Sequence, residues 1–441
     1  MKKLLILAYD FPPYVSVGGL RPYNWYRYLK EYGIEPIVVT RQWSNTHKSA
    51  LDYIARGHSD QTITEVSEYG TVLYAPYTPT LSNRLLYRHG NNKYSYLRKS
   101  LTATHDFKQF LWISGAKREI YETAKKYLQK NPVDMIIATG DPFVLFLYAK
   151  KLGKEFHTPW IADYRDPWSQ DKRVQANILF HNWNKMLEKK IVSTSVGITT
   201  VSGIMKYKLQ EYFPQKNIYI IPNGYDPEAV STVSKIPQST DKLTISFVGT
   251  IYEWHPWRSF LKEFSDFIEQ GEERDIQLNL YGINIETEIR KTIDELPEKS
   301  RNAIQICPKL SNMELLSRLA RENVMLLFND YSILGTKIFD YLGTRRKILL
   351  CYANDEDALR LKEAHYTIDE VDGMSKQLQV DLMRETNAGV IAENATHLKQ
   401  LLDELHQEFL EKGKIECAST GVENYSRKIQ VKKLADIVQS L

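Results

Sequence analysis

Short runs of apolar, β-favouring residues recur along the chain, most of them apolar at consecutive rather than alternate positions. In the first half these are KLLILAY (3–9), EPIVVT (35–40), TVLYAP (71–76), VDMIIATG (133–140), TPWIADY (158–164), VGITTVS (196–202) and IYIIPNG (218–224). Between several of them the apolar spacing changes to three and four. AKREIYETAKKYLQ (116–129), FVLFLYAKKLG (143–153) and VSGIMKYKLQEYF (201–213) therefore predict helices. Strands apolar on both faces, separated by helices, predict a parallel sheet covered on both sides. Residues 41–115 interrupt the alternation with polar, Tyr-rich and basic stretches and read as a long insertion. Residues 225–241, YDPEAVSTVSKIPQSTD, read as a linker. The alternation then restarts with KLTISFVGT (242–250), IQLNLYG (276–282), AIQICP (303–308), NVMLLF (323–328), KILLCY (347–352) and GVIA (389–392). The pattern predicts two α/β domains, 1–224 and 242–423, making a cleft between them. A helical stretch at 424–441 is expected to pack back on the first domain.

Composition narrows the class. A chain of 441 residues is too long for one ordinary core. An apolar content of 43% with 25% charged residues excludes a disordered chain. A net charge of +4 gives no support to nucleic-acid binding. The charge is uneven, however. Residues 71–130 carry 11 Lys/Arg against 3 Asp/Glu, a net of +8, so the remainder carries −4. The same stretch holds Tyr87, Tyr94, Tyr96, Phe107, Phe110, Leu111 and Trp112. Basic and aromatic residues together predict a membrane-facing surface, with a solvated insertion as the alternative. Cys307, Cys351 and Cys417 form no disulfide framework and fit a reducing compartment. MKKLLILAYD has an apolar run of only about six residues that ends at Asp10, so it reads as a buried first strand and not a signal peptide. No run approaches the roughly 18 apolar residues needed to span a bilayer. The expected location is cytoplasmic, peripheral on the inner face of the cell membrane.

Four places offer chemistry. In YDFPPYVSVGGLRPYNW (9–25), Gly18-Gly19 precede a helix expected near Arg21, where backbone can approach an anion closely. The alternative is a turn that needs two glycines. No GxGxxG with a suitably spaced acid is present, so dinucleotide binding is weakly supported. In WIADYRDPW (160–168), Asp163, Arg165 and Asp166 crowd the carboxyl end of a strand, which is costly unless they line a site or fix a loop as a structural pair. In VGTIYEWHPWRSFLKEF (248–264), the loop before a helix offers Thr250, Tyr252, His255 and Arg258. A cation in a first helical turn opposes the helix dipole unless an anion, such as a pyrophosphate, compensates it. In GTKIFDYLGTRRKILL (335–350), Gly335-Thr336 open and Gly343 closes a short helix that carries Lys337 and Asp340 three residues apart. That pair suits a phosphate and the hydroxyls of a ribose, with an internal ion pair as the alternative. Arg345-Arg346 read as solvating the turn. No His/Cys cluster has metal-ligand spacing.

These pieces resemble, in order and spacing, the bacterial GT-B glycosyltransferases of the family-4 kind over essentially the full length. The matching segments are YDFPP…GGLRP, ATGDPF (138–143), PWIADYRDPW (159–168), ITTVS (198–202), IPNGYDP (221–227), SFVGTIYEWHPW (246–257) and GTKIFDYLG (335–343). The resemblance implies two Rossmann-like domains facing across a cleft, a sugar-nucleotide donor on the second, an acceptor on the first, and no metal or other cofactor. It implies transfer of a sugar from a nucleoside diphosphate to a glycan or lipid-linked saccharide, with retention, in cell-surface polysaccharide synthesis. Alternatives are a sugar-nucleotide epimerase of the same fold and a non-catalytic sugar-nucleotide-binding subunit. Gly18-Gly19 would lie near the donor phosphates or the acceptor. Arg165-Asp166 take the place where many relatives carry His-Asp, and Asp163 accompanies them as a catalytic candidate. Arg258 and Lys337 would contact the diphosphate and Asp340 the ribose, with Tyr281-Gly282 and Pro308–Leu310 near the base. Thr250 and His255 stand near the usual Arg and Lys, and Ser332 stands where relatives carry a first Glu.

Overall fold

The computed structural model describes residues 1–14, 16–43, 50–170, 178–271 and 274–441. Val15 of the first motif and residues 44–49 of the expected insertion lie outside them. The chain forms two compact units: Met1–Pro222 with Gln430–Leu441, and Asn223–Ile429.

The first unit is built on strands β1 (Lys2–Leu7), β2 (Ile34–Arg41), β3 (Ile63–Val66), β4 (Thr71–Ala75), β5 (Met135–Gly140), β6 (Trp160–Tyr164), β7 (Gly197–Thr200) and β8 (Ile218–Ile220). Their order is β3-β4-β2-β1-β5-β6-β7-β8, parallel except for β3 against β4. Both faces of β1 are covered, which is why its sequence is continuously apolar. Leu5 and Leu7 pack with Ile136, Leu145 and Tyr148 on one side. Leu4 and Ile6 pack on the other with Trp25 and Tyr28 of helix Val17–Tyr28 and with Val431, Leu434 and Val438 of helix Arg427–Ser440. The chain runs outward from β1 through β2 to β4, then restarts at β5 on the other side. The crevice at the carboxyl ends of β1 and β5 is thus a topological switch point.

The second unit carries β9 (Leu243–Val248), β10 (Ile276–Tyr281), β11 (Ile304–Cys307), β12 (Val324–Phe328), β13 (Lys347–Cys351) and β14 (Gly389–Ala392). These form a wholly parallel sheet in the order β11-β10-β9-β12-β13-β14, with its switch point between β9 and β12. Cys351 is buried in this core, and all three cysteines are free.

Four expectations change. The stretch 41–115 is not wholly an insertion, because β4 pairs with β2 inside the sheet and β3 edges it. Residues 225–241 are not a bare linker. Asp226 caps a helix, Pro227–Val233, through the amides of Glu228 and Ala229, with Pro at the favoured first position. Val233 then packs on Leu316 and Ala320. Helix Lys337–Thr344 runs through Gly343, and Arg345 takes the left-handed turn at φ 53°. Arg346 does not solvate that turn, since its guanidinium donates to the carbonyls of Ala320 and Ile236.

Candidate functional site

In the first unit the carboxyl ends of β1, β5 and β6 deliver Asp10, Asp141 and Arg165. Arg165 Nε donates to the Gly140 carbonyl at 2.8 Å and Nη2 to the Asp141 carbonyl at 2.9 Å. Gly18 makes room for that guanidinium. A Cβ there would lie 2.2 Å from Arg165 Nη1 and 2.7 Å from Asp10 Oδ2. Gly18 and Gly19 are not in a loop, however. They belong to the first turn of helix Val17–Tyr28, because Ser16 caps it four residues earlier than expected: its Oγ accepts from the Gly19 amide at 3.0 Å and donates to Asp10 Oδ2 at 2.8 Å. Burial pushes the Asp10 and Asp141 carboxyls up, with Ser16 then Arg165 opposing at Asp10, and Lys117 then Arg165 opposing at Asp141. Burial pulls the Lys117 ammonium down. Perturbed acids and bases at a switch point mark a site. Asp166 is exposed beside it.

Asp163 has a different role. It is fully buried. Oδ1 accepts from Arg21 Nη2 at 2.8 Å and Thr199 Oγ1 at 2.7 Å, and Oδ2 accepts from Thr139 Oγ1 at 2.9 Å. Arg21 Nη1 continues to the Ile221 carbonyl at 2.7 Å. With these acceptor positions filled from the helix and from β5 and β7, Asp163 is a structural strut and not a catalytic group. Glu188, unremarked in the sequence, anchors the turn after β6. Its buried carboxylate accepts from the Tyr164 hydroxyl at 2.7 Å, the Ser169 amide at 3.2 Å, the Ser169 hydroxyl and Gln170 Nε2 at 2.5 Å.

In the second unit the switch point holds Lys337. Its Nζ lies 4.0 Å from the Phe247 ring centre and donates to the Thr250 carbonyl at 3.4 Å. Burial pushes it down to about 8, against the pull of Asp330. The backbone around it is bare, since a Cβ on Gly249 or Gly335 would meet nothing within 4 Å. Helix Lys337–Thr344 begins with no side-chain cap, leaving its first amides for a ligand. Asp340 does not pair with Lys337. Its Oδ1 lies 4.0 Å from Arg427 Nη2, and Arg427 Nε donates to the Gly224 carbonyl at 2.7 Å. The Asp340 side chain keeps 37% of its surface exposed, yet surrounding protein raises it to about 6, with Arg427 opposing and Asp226 adding. Cation and carboxylate thus face separate partners one turn apart.

Several expected donor ligands are otherwise engaged. His255 Nδ1 accepts from the Tyr252 amide at 3.2 Å, so Nε2 carries the proton and donates to Asp330 Oδ1 at 2.8 Å. Burial lowers its pKa, leaving a neutral ring that locks the loop instead of a diphosphate cation. Asp330 also accepts from Gln379 Nε2 at 3.1 Å, making it the hub of this crevice. Its position just after β12 is the only sequence signal that could have found it. Arg258 is exposed and stacks on Trp257 at 4.0 Å. It lines a cavity of about 670 Å³ with Lys262, Glu263 and Asp357, and Lys337 is not among that cavity's lining residues. The Tyr281 hydroxyl donates to Glu322 at 3.1 Å, and Leu310 is half-buried against the core. Ser332 Oγ and amide both bond the Tyr366 hydroxyl, which donates to the Asp330 carbonyl at 3.1 Å. Among the described residues no cluster of His, Cys, Asp and Glu has the makings of a metal site, and no helix is long and apolar enough to cross a membrane.

Residues 21–229 match the model of Glycosyltransferase Family 4. No curated protein sequence matches the chain. Its fold is similar to that of the UDP-forming α,α-trehalose-phosphate synthase of Burkholderia vietnamiensis, with TM-score 0.58 and 11% identity over 100% of this chain and 98% of that one. A glycosyltransferase of Rickettsia africae superposes with TM-score 0.56 and 15% identity, over 100% and 98%. Anabaena HepE, solved in complex with UDP and glucose, gives 0.53 and 10%, over 100% of both. At these identities the structures share a fold, and the family match covers most of the first unit, from residue 21 onward. Residues 21–229 thus match a glycosyltransferase family model, and the chain has the GT-B fold.

Proposed function

We propose that the protein transfers a sugar from a nucleoside diphosphate sugar, held by the second unit, to a glycan or lipid-linked saccharide held by the first. The observation that carries this reading is Lys337 at an uncapped helix start with Asp340 one turn on, at the β9/β12 switch point. Diphosphate oxygens would accept from Lys337 Nζ and the first helical amides, and ribose hydroxyls would donate to Asp340. Gly249 and Gly335 leave the room that a diphosphate needs. As the anomeric C–O bond breaks, these fixed positive groups stabilise charge on the departing diphosphate, so no metal is required in this scheme. Arg165 and Asp166 would stand beside the transferred sugar, and the acceptor hydroxyl oxygen would bond the anomeric carbon with retention, as the resemblance suggests, its proton passing to the departing diphosphate. The UDP and glucose of Anabaena HepE support a donor of this class. Bacterial cell-surface polysaccharide synthesis on the cytoplasmic side is the setting this chemistry fits.

A thermal-shift screen of nucleoside diphosphates and their sugars tests the donor, since a ligand at 100 times its Kd stabilises by about 2.7 kcal/mol. Lys337→Ala and Asp340→Ala are expected to abolish both the shift and turnover; full activity in both defeats the site. An epimerised sugar formed from donor alone would point to an isomerase instead.

A further inference from the structure

The basic, aromatic stretch 71–130 divides into two kinds of residue. Val72, Leu73 and Ala75 of β4 and Ile120, Ala124 and Leu128 of helix Arg118–Leu128 are core. What remains on the surface is a helical hairpin, Leu81–His89 and Ser95–Leu111. Along the second helix Tyr96, Ala103, Phe107 and Leu111 fall at spacings of seven, four and four, which is one face, and Trp112 follows. Tyr96 is 88% exposed, Phe107 45%, Leu111 42% and Trp112 61%. Around this stripe residues 81–112 carry six cations (Arg84, Arg88, Lys93, Arg98, Lys99, Lys108) against Asp106 alone, a net of +5.

We propose that this helix face docks on an anionic phospholipid bilayer, with Tyr96, Phe107, Leu111 and Trp112 entering the headgroup boundary and the cations meeting lipid phosphates. An amphipathic helix with aromatic anchors and a cationic surround has the composition of an interfacial helix. A second copy of the chain is the poorer occupant, because an isologous contact would set a net +5 against itself. The face also leads toward the candidate site of the same unit. Phe107 stacks on Trp183 at 5.0 Å, and Phe110 stacks on Trp168 at 5.4 Å, in the turn that carries Arg165. An acceptor anchored by lipid would therefore arrive one aromatic layer from Arg165. That consequence rests on the lipid-linked reading of the acceptor; the docking itself does not.

Flotation tests the proposal. The full chain is expected to float with phosphatidylglycerol-containing vesicles at low salt, not with pure phosphatidylcholine, and to be released near about 0.5 M salt. Lys99→Glu with Lys108→Glu should cut binding roughly tenfold or more. Leu111→Ser with Trp112→Ser should cut it comparably while melting like the parent, and Leu410→Ser, at an exposed apolar position of the second unit, should float unchanged. Failure of the parent to float, or stripe variants that float normally, overturns docking. So does a concentration-dependent dimer that the same substitutions abolish, which assigns the face to a second copy. A UDP thermal shift on the same preparations separates the two readings: UDP binding without flotation overturns docking alone, and flotation without nucleotide binding overturns the donor site alone.

Discussion

Removing Arg21 should cost the protein its fold before it touches the chemistry. Arg21 and Asp163 are 8% and 0% exposed, and their 2.8 Å contact is an ion pair sealed from water. Arg21→Met keeps much of the side-chain volume and leaves a buried carboxylate with only Thr139 and Thr199 as donors. Breaking a buried pair from one side costs about 3–5 kcal/mol. For a unit of this size each kcal/mol moves the midpoint by about 2–4 °C, so the first thermal transition should fall by roughly 6–20 °C. Asp163→Asn should fall comparably, because the guanidinium is then the uncompensated charge. Arg21→Met with Asp163→Asn should recover part of the loss, a coupling that a double-mutant cycle measures. Calorimetry gives the midpoints, and turnover per folded molecule at low temperature gives the activity. Either single variant melting like the parent while turnover falls a hundredfold would put Asp163 back in the chemistry.

Donor kcat/KM is expected to be bell-shaped. Asp340 is a carboxylate only above about 6, and Lys337 a cation only below about 8, so affinity rises through the first value and falls through the second. Asp340→Asn should remove the acid limb and Lys337→Met the alkaline one; a flat profile from about pH 5 to 9 refutes both assignments. Gly18→Ala should displace Arg165 and lower turnover at least about tenfold with little change in melting or nucleotide binding, a size in keeping with loss of a positioned group. Normal turnover in that variant would remove Arg165 from the site. His255→Ala strips Asp330 of a 2.8 Å partner and should destabilise the second unit by about 1–3 kcal/mol. An unchanged second transition would mean that the loop is held otherwise.

Much of the architecture was readable because strands buried on both faces announce themselves locally. LLIL in β1 and VMLLF in β12 have no polar face to disguise them. β3, ITEV, was not readable, since all four residues are exposed at the sheet edge. The helix at Pro227–Val233 was hidden by turn-forming composition, although Asp226-Pro227 is a start signal. Lys337 and Asp340 stood out because a charge in a short helix between buried strands is visible within one window. The roles of Asp163 and His255 could not be read that way. Each depends on a partner far along the chain, Arg21 at 142 residues and Asp330 at 75, and a charge awaiting a ligand looks the same in sequence as one awaiting a distant partner. Glu188 escaped for the same reason, sitting inside an unremarkable amphipathic helix.

The helix Arg427–Ser440 has a consequence for how the molecule is made. Its residues Val431, Leu434, Ala435 and Val438 close the face of the first sheet that Leu4 and Ile6 open. The ribosome delivers that strand before its cover, which follows only after the 207 residues Asn223–Ile429. At ordinary elongation rates the delay is roughly 10–40 s. For that interval the nascent first unit carries an open apolar groove, a timed binding site for a chaperone and the stretch of its synthesis in which aggregation competes hardest with folding.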